Sequence, residues 1–186
     1  MNPDDELKKT DLSDQTLLAR AIQGDKEAFG DLYERHLDEI QRYIFYRVAS
    51  RLDAEDLTET VFLKAWEALP RFGSDHVNLR AWLYRIAHNI VVDYHRTRKP
   101  DDGPPAAQLH DDHPSPEHQS QMRDDHQHLA AAIQSLDANL QQVIICRFVN
   151  GLNHTETAQV MGIQEGYVRV LQLRALQKLR QLLEKE

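Results

Sequence analysis

Residues 153–173 run Asn153-His154-Thr155-Glu156-Thr157-Ala158-Gln159-Val160-Met161-Gly162-Ile163-Gln164-Glu165-Gly166-Tyr167-Val168-Arg169-Val170-Leu171-Gln172-Leu173, and their spacing decides the fold. Asn153 suits an N-cap, and Glu156 stands three positions on, where side chain and backbone can satisfy each other's free donors at a helix start. Ala158 is small where two helices must cross closely. Gly162, four residues later, supplies the left-handed turn residue that ends a helix. Val168, six residues further, faces back into the core, and Met161, Ile163 and Leu171 complete the buried set. A small residue, a glycine and a β-branched residue at these offsets predict a helix–turn–helix in preference to an ordinary helical hairpin. A short helix over 154–161 would be followed by a long one over 165–184.

The long helix has two chemistries. At about 100° per residue, Val168, Leu171, Ala175, Leu179 and Leu182 share one face. Tyr167, Arg169, Val170, Leu173, Arg174, Gln177, Lys178 and Arg180 lie opposite. From Arg169 to Lys185 there are five positive charges and one negative. A basic face on the second helix of this motif is what major-groove binding requires. Arg174 could donate bidentately to guanine, and Val170 or Leu173 could touch a thymine methyl.

The rest of the 186 residues fits an all-α chain. Ser13 can cap a helix ending near Gly24. A second helix runs from about Lys26 to Val48, with Phe29, Leu32, Tyr33, Leu37, Ile40, Ile44 and Val48 at helical spacing. Asp53 can cap a third helix that stops before Pro70, and Asn78 a fourth that runs to about Arg98. Further helices are predicted over 124–135 and 138–149, the second ending at Asn150-Gly151. No strand pattern and no internal repeat is present. No apolar stretch approaches the roughly 18 residues of a membrane span. The acidic start Met1-Asn2-Pro3-Asp4-Asp5-Glu6 argues against a secretory signal. The single cysteine, Cys146, excludes an internal disulfide and fits a reducing compartment. Within Val143-Ile144-Ile145-Cys146 it reads as a small buried hydrophobe.

The net charge of −8 is unevenly spread. Residues 1–15 carry net −3, residues 16–99 net 0, residues 100–128 net −6 and residues 129–186 net +1. Residues 100–128 also hold five of the seven prolines and no apolar periodicity, so they cannot bury enough surface to offset their ordering entropy. His110, His113, His118, His126 and His128 fall there at irregular spacing and without a cysteine partner. They read as part of a solvated tether rather than a zinc site. The organisation expected is an acidic tail over 1–15, a helical domain over 16–99, a flexible acidic linker over 100–123 and a helix–turn–helix domain over 124–186.

Two helices of the first domain have opposite surfaces. In the third, Asp53, Glu55, Asp56, Glu59 and Glu67 face one base, Lys64, while Leu57, Val61, Phe62, Ala65 and Leu69 form the apolar side. Leu63 falls among Asp56, Glu59, Thr60 and Glu67. An apolar anchor inside an acidic patch suits a protein-binding surface. The fourth helix is basic. Leu79, Trp82, Leu83, Ile86, Ala87, Ile90 and Tyr94 form its core stripe. Arg80, Tyr84, Arg85, His88, His95 and Arg96 fall on the other side, where basic groups interleaved with an aromatic suit single-stranded bases.

Together these pieces resemble the extracytoplasmic-function (ECF) class of bacterial RNA polymerase sigma factors, built from two helical domains called region 2 and region 4. The resemblance rests on Gly24-Asp25-Lys26-Glu27-Ala28-Phe29, Asp53-Ala54-Glu55-Asp56-Leu57-Thr58, Val61-Phe62-Leu63-Lys64-Ala65-Trp66, Arg80-Ala81-Trp82-Leu83-Tyr84-Arg85-Ile86-Ala87-His88-Asn89 and Met161-Gly162-Ile163-Gln164-Glu165-Gly166. It implies that Asp56, Glu59, Thr60 and Leu63 dock on the clamp helices of the polymerase β′ subunit. It implies a −10 reader made of Asp75, His76, Asn78, Arg80, Tyr84, Arg85, His88 and Arg96, which captures a flipped non-template base. It implies a −35 reader made of Glu165, Gly166, Tyr167, Arg169, Val170, Leu173, Arg174 and Lys178. Core RNA polymerase, through the β′ clamp helices and the β flap, and promoter DNA are the implied partners, and an anti-sigma protein is a further one. The chain departs from the family where Glu59 and Thr60 replace a glutamine and an acid, and where Val170-Leu171-Gln172-Leu173 replaces a more polar run.

The resemblance implies a bacterial cytoplasmic promoter-specificity subunit with no enzymatic activity and no cofactor or metal. Two other readings stand beside it: a free-standing helix–turn–helix regulator and a helical adaptor that binds only protein. No phosphate-cradling glycine loop, metal-spaced His/Glu pair or nucleophile–base arrangement supports an enzyme.

Overall fold

A computed structural model describes residues 12–48, 50–72, 78–97, 129 and 131–184. Four helices build the first unit: α1 (Asp14–Ile22), α2 (Lys26–Val48), α3 (Arg51–Ala68) and α4 (Leu79–Thr97). The second unit holds a helical turn over 131–134, then α5 (Ala138–Ile144), α6 (His154–Met161) and α7 (Glu165–Leu183). Among the described residues there is no strand, and no helix is long and apolar enough to cross a membrane. Residues 98–128, including the histidine-rich stretch and the acidic linker, lie outside the described residues, as do Asp75 and His76.

Local chemistry sets the helix ends. Ser13 caps α1 by accepting from the Thr16 amide, and Asp25 accepts from the Glu27 and Ala28 amides at the start of α2. The cap of α3 is Ser50, which accepts from the Asp53 amide. The sequence places that cap at Asp53. Asp53 lies instead in the first turn, where its carboxylate favours the positive helix end and accepts from the Tyr94 hydroxyl at 2.7 Å. Asn78 caps α4 by accepting from the Ala81 amide.

In the first unit α2, α3 and α4 pack against one another, and α1 lies on α2. Aromatic pairs bridge its helices: Tyr33 on Phe62, Phe29 on Trp66, and Tyr43 edge-on to Tyr84 with ring centroids 5.2 Å apart. Leu17, Ile40, Ile44, Val61 and Ala87 are fully buried, and each large aliphatic among them contributes about 1.5–3 kcal/mol. In the second unit α5 passes into a π-helical turn over Ile145–Val149. Ile145 and Cys146 on this turn are fully buried.

The helix–turn–helix forms as its spacing predicts. Asn153 and Glu156 make a reciprocal capping box at the start of α6. Gly162 ends α6 in the left-handed region at φ 65°. Val168 and Ala175 are fully buried on α7. Gln164, the N-cap of α7, makes no side-chain cap bond.

Rather than standing apart, the two units pack against each other, with α6 lying on α4 and the π-helical turn against α2.

Candidate polymerase and nucleic-acid interfaces

Three surfaces carry the predicted site residues. On α3, Asp56 and Glu59 are exposed, Thr60 is half-buried, and Leu63 is 58% exposed. Leu63 forms one wall of a shallow apolar groove shared with Phe29, Phe62, Trp66 and the stem of Lys26. The groove was not legible in the sequence, because two of its walls, Phe29 and Phe62, lie on the apolar stripes of α2 and α3 and read as core.

The basic face of α7 is open. Tyr167, Arg169, Val170, Leu173, Arg174 and Lys178 are all exposed, as is Gly166. Glu165 is half-buried and accepts from the Thr155 hydroxyl at 2.9 Å and from Arg169 at 2.7 Å. Lys178 lies 3.5 Å from the Asp137 carboxylate. Below this face, Val168, Leu171, Ala175 and Leu179 anchor the helix. The arrangement presents cations and apolar tips from a rigid element, as groove reading needs.

The face predicted on α4 is different. Arg85 and Arg96 are exposed, and Arg96 pairs with Asp93 at 3.0 Å. Tyr84 is not on the surface: it is 0% exposed, packed on Tyr43, with its hydroxyl donating to Glu39 at 3.3 Å. The helix is flanked on two sides, so the stripe Ala81–Tyr84–Ala87–Val91 is buried as well as the stripe of Leu79, Leu83 and Ile90. Trp82 and Ile86, placed on the core stripe by the sequence, are half-buried, and Trp82 meets Phe72 at a tilt of 60° with ring centroids 4.4 Å apart. His88 is half-buried, with Nδ1 enclosed and without a partner. Asn78 donates to Glu156 of α6 at 2.7 Å.

Arg80 is the centre of a charge network. Its Nε donates to Glu39 at 2.8 Å, and its other arm donates to the Asn150 carbonyl at 2.5 Å. Glu39 also meets His36 at 2.6 Å, and His36 meets Asp14 at 2.9 Å. Both ring nitrogens of His36 face carboxylate oxygens, so the imidazolium satisfies both. Burial alone would lower the His36 pKa, but the bond to Glu39 and the charges of Glu39 and Asp14 outweigh it and the pKa is raised. Burial likewise pushes Glu39 up, yet His36 and Arg80 hold it below its ordinary value. Arg80 stays charged, because Glu39 more than offsets its burial.

None of His36, Glu39 or Asp14 was singled out from the sequence. A signal exists: His36 and Arg47 sit on the α2 stripe between Leu32, Ile40, Tyr43 and Val48, and a polar residue on a buried stripe demands a buried partner. Arg47 finds one in the Ala138 carbonyl at 3.1 Å.

Two family models match the chain, Sigma-70 region 2 over residues 32–100 and Sigma-70, region 4 over residues 132–181. The ECF RNA polymerase sigma factor BldN of Streptomyces coelicolor is 35% identical over 90% of this chain, which spans 64% of that protein's length. The RNA polymerase sigma factor CnrH of Cupriavidus metallidurans is 30% identical, with 99% of this chain and 97% of CnrH aligned. The solved structure of CnrH in complex with the cytosolic domain of CnrY superposes with a TM-score of 0.74 at 28% identity, covering 93% of this chain and 98% of that one. With region 2 matched from within α2 to the end of α4, region 4 matched over α5–α7 and CnrH aligned along nearly its whole length, the chain belongs to the ECF sigma factors, the subunits that direct RNA polymerase to promoters.

Proposed function

We propose that the three surfaces divide the work of promoter recognition. The acidic face of α3, with Asp56, Glu59, Thr60 and Leu63, docks on the β′ clamp helices, and region 4 meets the β flap. The end of α4 and the segment before it read the −10 element through Asp75, His76, Asn78, Arg80, Arg85, His88 and Arg96, with Tyr84 holding the helix from within. The face of α7 reads the −35 element through Glu165, Gly166, Tyr167, Arg169, Val170, Leu173, Arg174 and Lys178. The chain has no chemistry of its own to perform and works in the bacterial cytoplasm. In this reading the domains span 16–99 and 124–186, joined by 100–123. An anti-sigma protein is a further partner in this reading, and the similar CnrH is solved in complex with the cytosolic domain of another protein, CnrY.

The observation that carries this reading is the open basic face of α7 on a helix locked by Val168 and Ala175. Leu63 supports the polymerase contact, as an exposed leucine at an apolar groove inside an acidic patch. Run-off transcription with core polymerase on a promoter library is the test. Leu63→Ala should weaken core binding by about 2 kcal/mol without altering the fold, since truncating a central anchor has effects of that size. An affinity for core polymerase equal to wild type would remove Leu63 from the interface.

A further inference from the structure

We propose that Thr155 and Glu165 serve −35 recognition as positioning residues: Thr155 holds the Glu165 carboxylate, Glu165 holds the Arg169 guanidinium, and Arg169 alone of the three reads a base. The inference rests on the reading of α7 as the −35 reader, and it gives Glu165 a part other than that of a base contact. Its first support is a chain of bonds across the helix–turn–helix. The Thr155 hydroxyl, on α6, donates to Glu165 Oε2 at 2.9 Å, and a terminal nitrogen of Arg169 donates to Glu165 Oε1 at 2.7 Å. Each carboxylate oxygen holds one donor, and the two donors come from different helices. A glutamate four residues before an arginine on one helix is ordinarily a loose surface pair that contributes little to stability. The Thr155 bond changes this, because it ties the carboxylate to the other helix of the motif.

The second support is the frame around the pair. Val168, Leu171 and Ala175 are buried, and Arg147 of the π-helical turn donates to Gln172 at 3.1 Å. With α7 held against rotation, a fixed carboxylate means a fixed guanidinium. The Arg169 side chain is nonetheless 65% exposed. A guanidinium carries several donors in a rigid fork, and Glu165 takes one of them, so the others are left to meet DNA.

The third support is the chemistry of the groove. A carboxylate has no donor, and the base-edge group it could accept from is the cytosine amino group. Both Glu165 oxygens already hold donors. Beside phosphates a lone carboxylate would be repelled, whereas one paired with Arg169 is neutralised. Guanine is the base that takes a guanidinium fork, through O6 and N7 together. That contact fixes the plane of the fork, while a phosphate can be met from many directions, so a buttressed arginine is fitted to a base edge. Residues near the start of the second helix of this motif are the ones that reach base edges, and Arg169 stands one turn in from Glu165.

The experiment uses the full chain assembled with core polymerase, competing promoters that differ at single −35 bases. R169A should cut the preference for guanine at one position about ten-fold. E165Q should cut it at the same position about three-fold and T155V about two-fold, while T155S, which restores the hydroxyl, should keep the wild-type preference. In an R169A background, E165Q and T155V should change nothing further, because both act through the arginine. Helix content is measured on every variant; a mere loss of stability would weaken binding to all promoters without singling out a base. Guanine preference unmoved by either E165Q or T155V, while R169A abolishes it, overturns the inference and leaves α7 as the reader. Relaxation by E165Q at a different position, or an effect that persists without Arg169, overturns it as well. So does an R169A loss spread evenly over all promoters, the mark of a phosphate contact. Preferences untouched at every −35 position by both R169A and R174A overturn the reading of α7 itself.

Discussion

The helices α4 and α7 carry the same kind of pattern, an apolar stripe backed by arginines and a tyrosine, yet they stand in different surroundings. On α7 the backing is bare: Leu173 is 59% exposed and Arg174 faces solvent. On α4 it is divided: Arg85 and Arg96 are exposed, whereas Tyr84 is enclosed against Tyr43 and Arg80 is held between Glu39 and Asn150. A basic helical face therefore specifies a surface able to meet an anion or a carbonyl, not the partner it meets in a given state. The difference follows from polar groups elsewhere, namely Glu39 inside region 2 and the helix end at Asn150.

The hardest way to break the contrast is to remove the unit that packs on α4. Val168→Asp buries an unpaired carboxylate where Val168 is fully enclosed, and should destabilise region 4 by about 3–5 kcal/mol. Denaturant titration should show an early transition for region 4, followed by a later one for region 2. A single transition at the wild-type midpoint would contradict the placing of Val168.

Paired arginine substitutions sharpen it. Arg80→Ala removes charged hydrogen bonds and should lower stability by about 1–2 kcal/mol, discounted for its partial exposure. Arg174→Ala should leave stability within about 0.5 kcal/mol and should instead relax −35 discrimination in holoenzyme by about 1–3 kcal/mol. Thermal melts of both variants, with promoter competition for the second, check this. Equal effects on stability would erase the distinction between the faces.

The smallest expected effect is in pH. The folded pKa of His36 is raised, so its contribution is fully present below 6.5 and is lost as pH climbs from there through the folded value. That of His88 is lowered by burial and by Arg47, so its penalty grows as pH falls from 6.5 through the folded value. The facing groups are Asp14 and Glu39 for the first, Arg47 and Gln142 for the second. Melting temperature should peak near pH 6.5. His36→Gln should flatten the alkaline limb and His88→Gln the acidic one. Wild-type limbs retained in both variants would remove these histidines from the balance.

Much of this was legible in the sequence. The helix limits of α1, α2 and α4, the capping box at Asn153 and Glu156, the left-handed Gly162 and the bare face of α7 follow from local rules on spacing and caps. What was missed is non-local. A helical wheel shows one axis and one apolar stripe, and α4 has two buried sides. Ser50, three residues before Asp53, caps α3 by accepting from the Asp53 amide, while the Asp53 carboxylate is taken by Tyr94, a partner far along the chain. The network of Asp14, His36, Glu39 and Arg80 joins three helices, so no window along the chain contains it.

Glu156 holds one oxygen on the Asn153 amide, closing its own helix end, and the other on Asn78 across the domain contact. Alanine scanning would count this side chain once and report a sum of two unlike losses. Glutamine, which keeps an acceptor, would separate them, because its single carbonyl oxygen can serve the cap or the neighbour and not both. Loss of the Asn78 bond alone leaves the α6 cap in place, so far-ultraviolet circular dichroism would register no loss of α6 on Asn78→Ala.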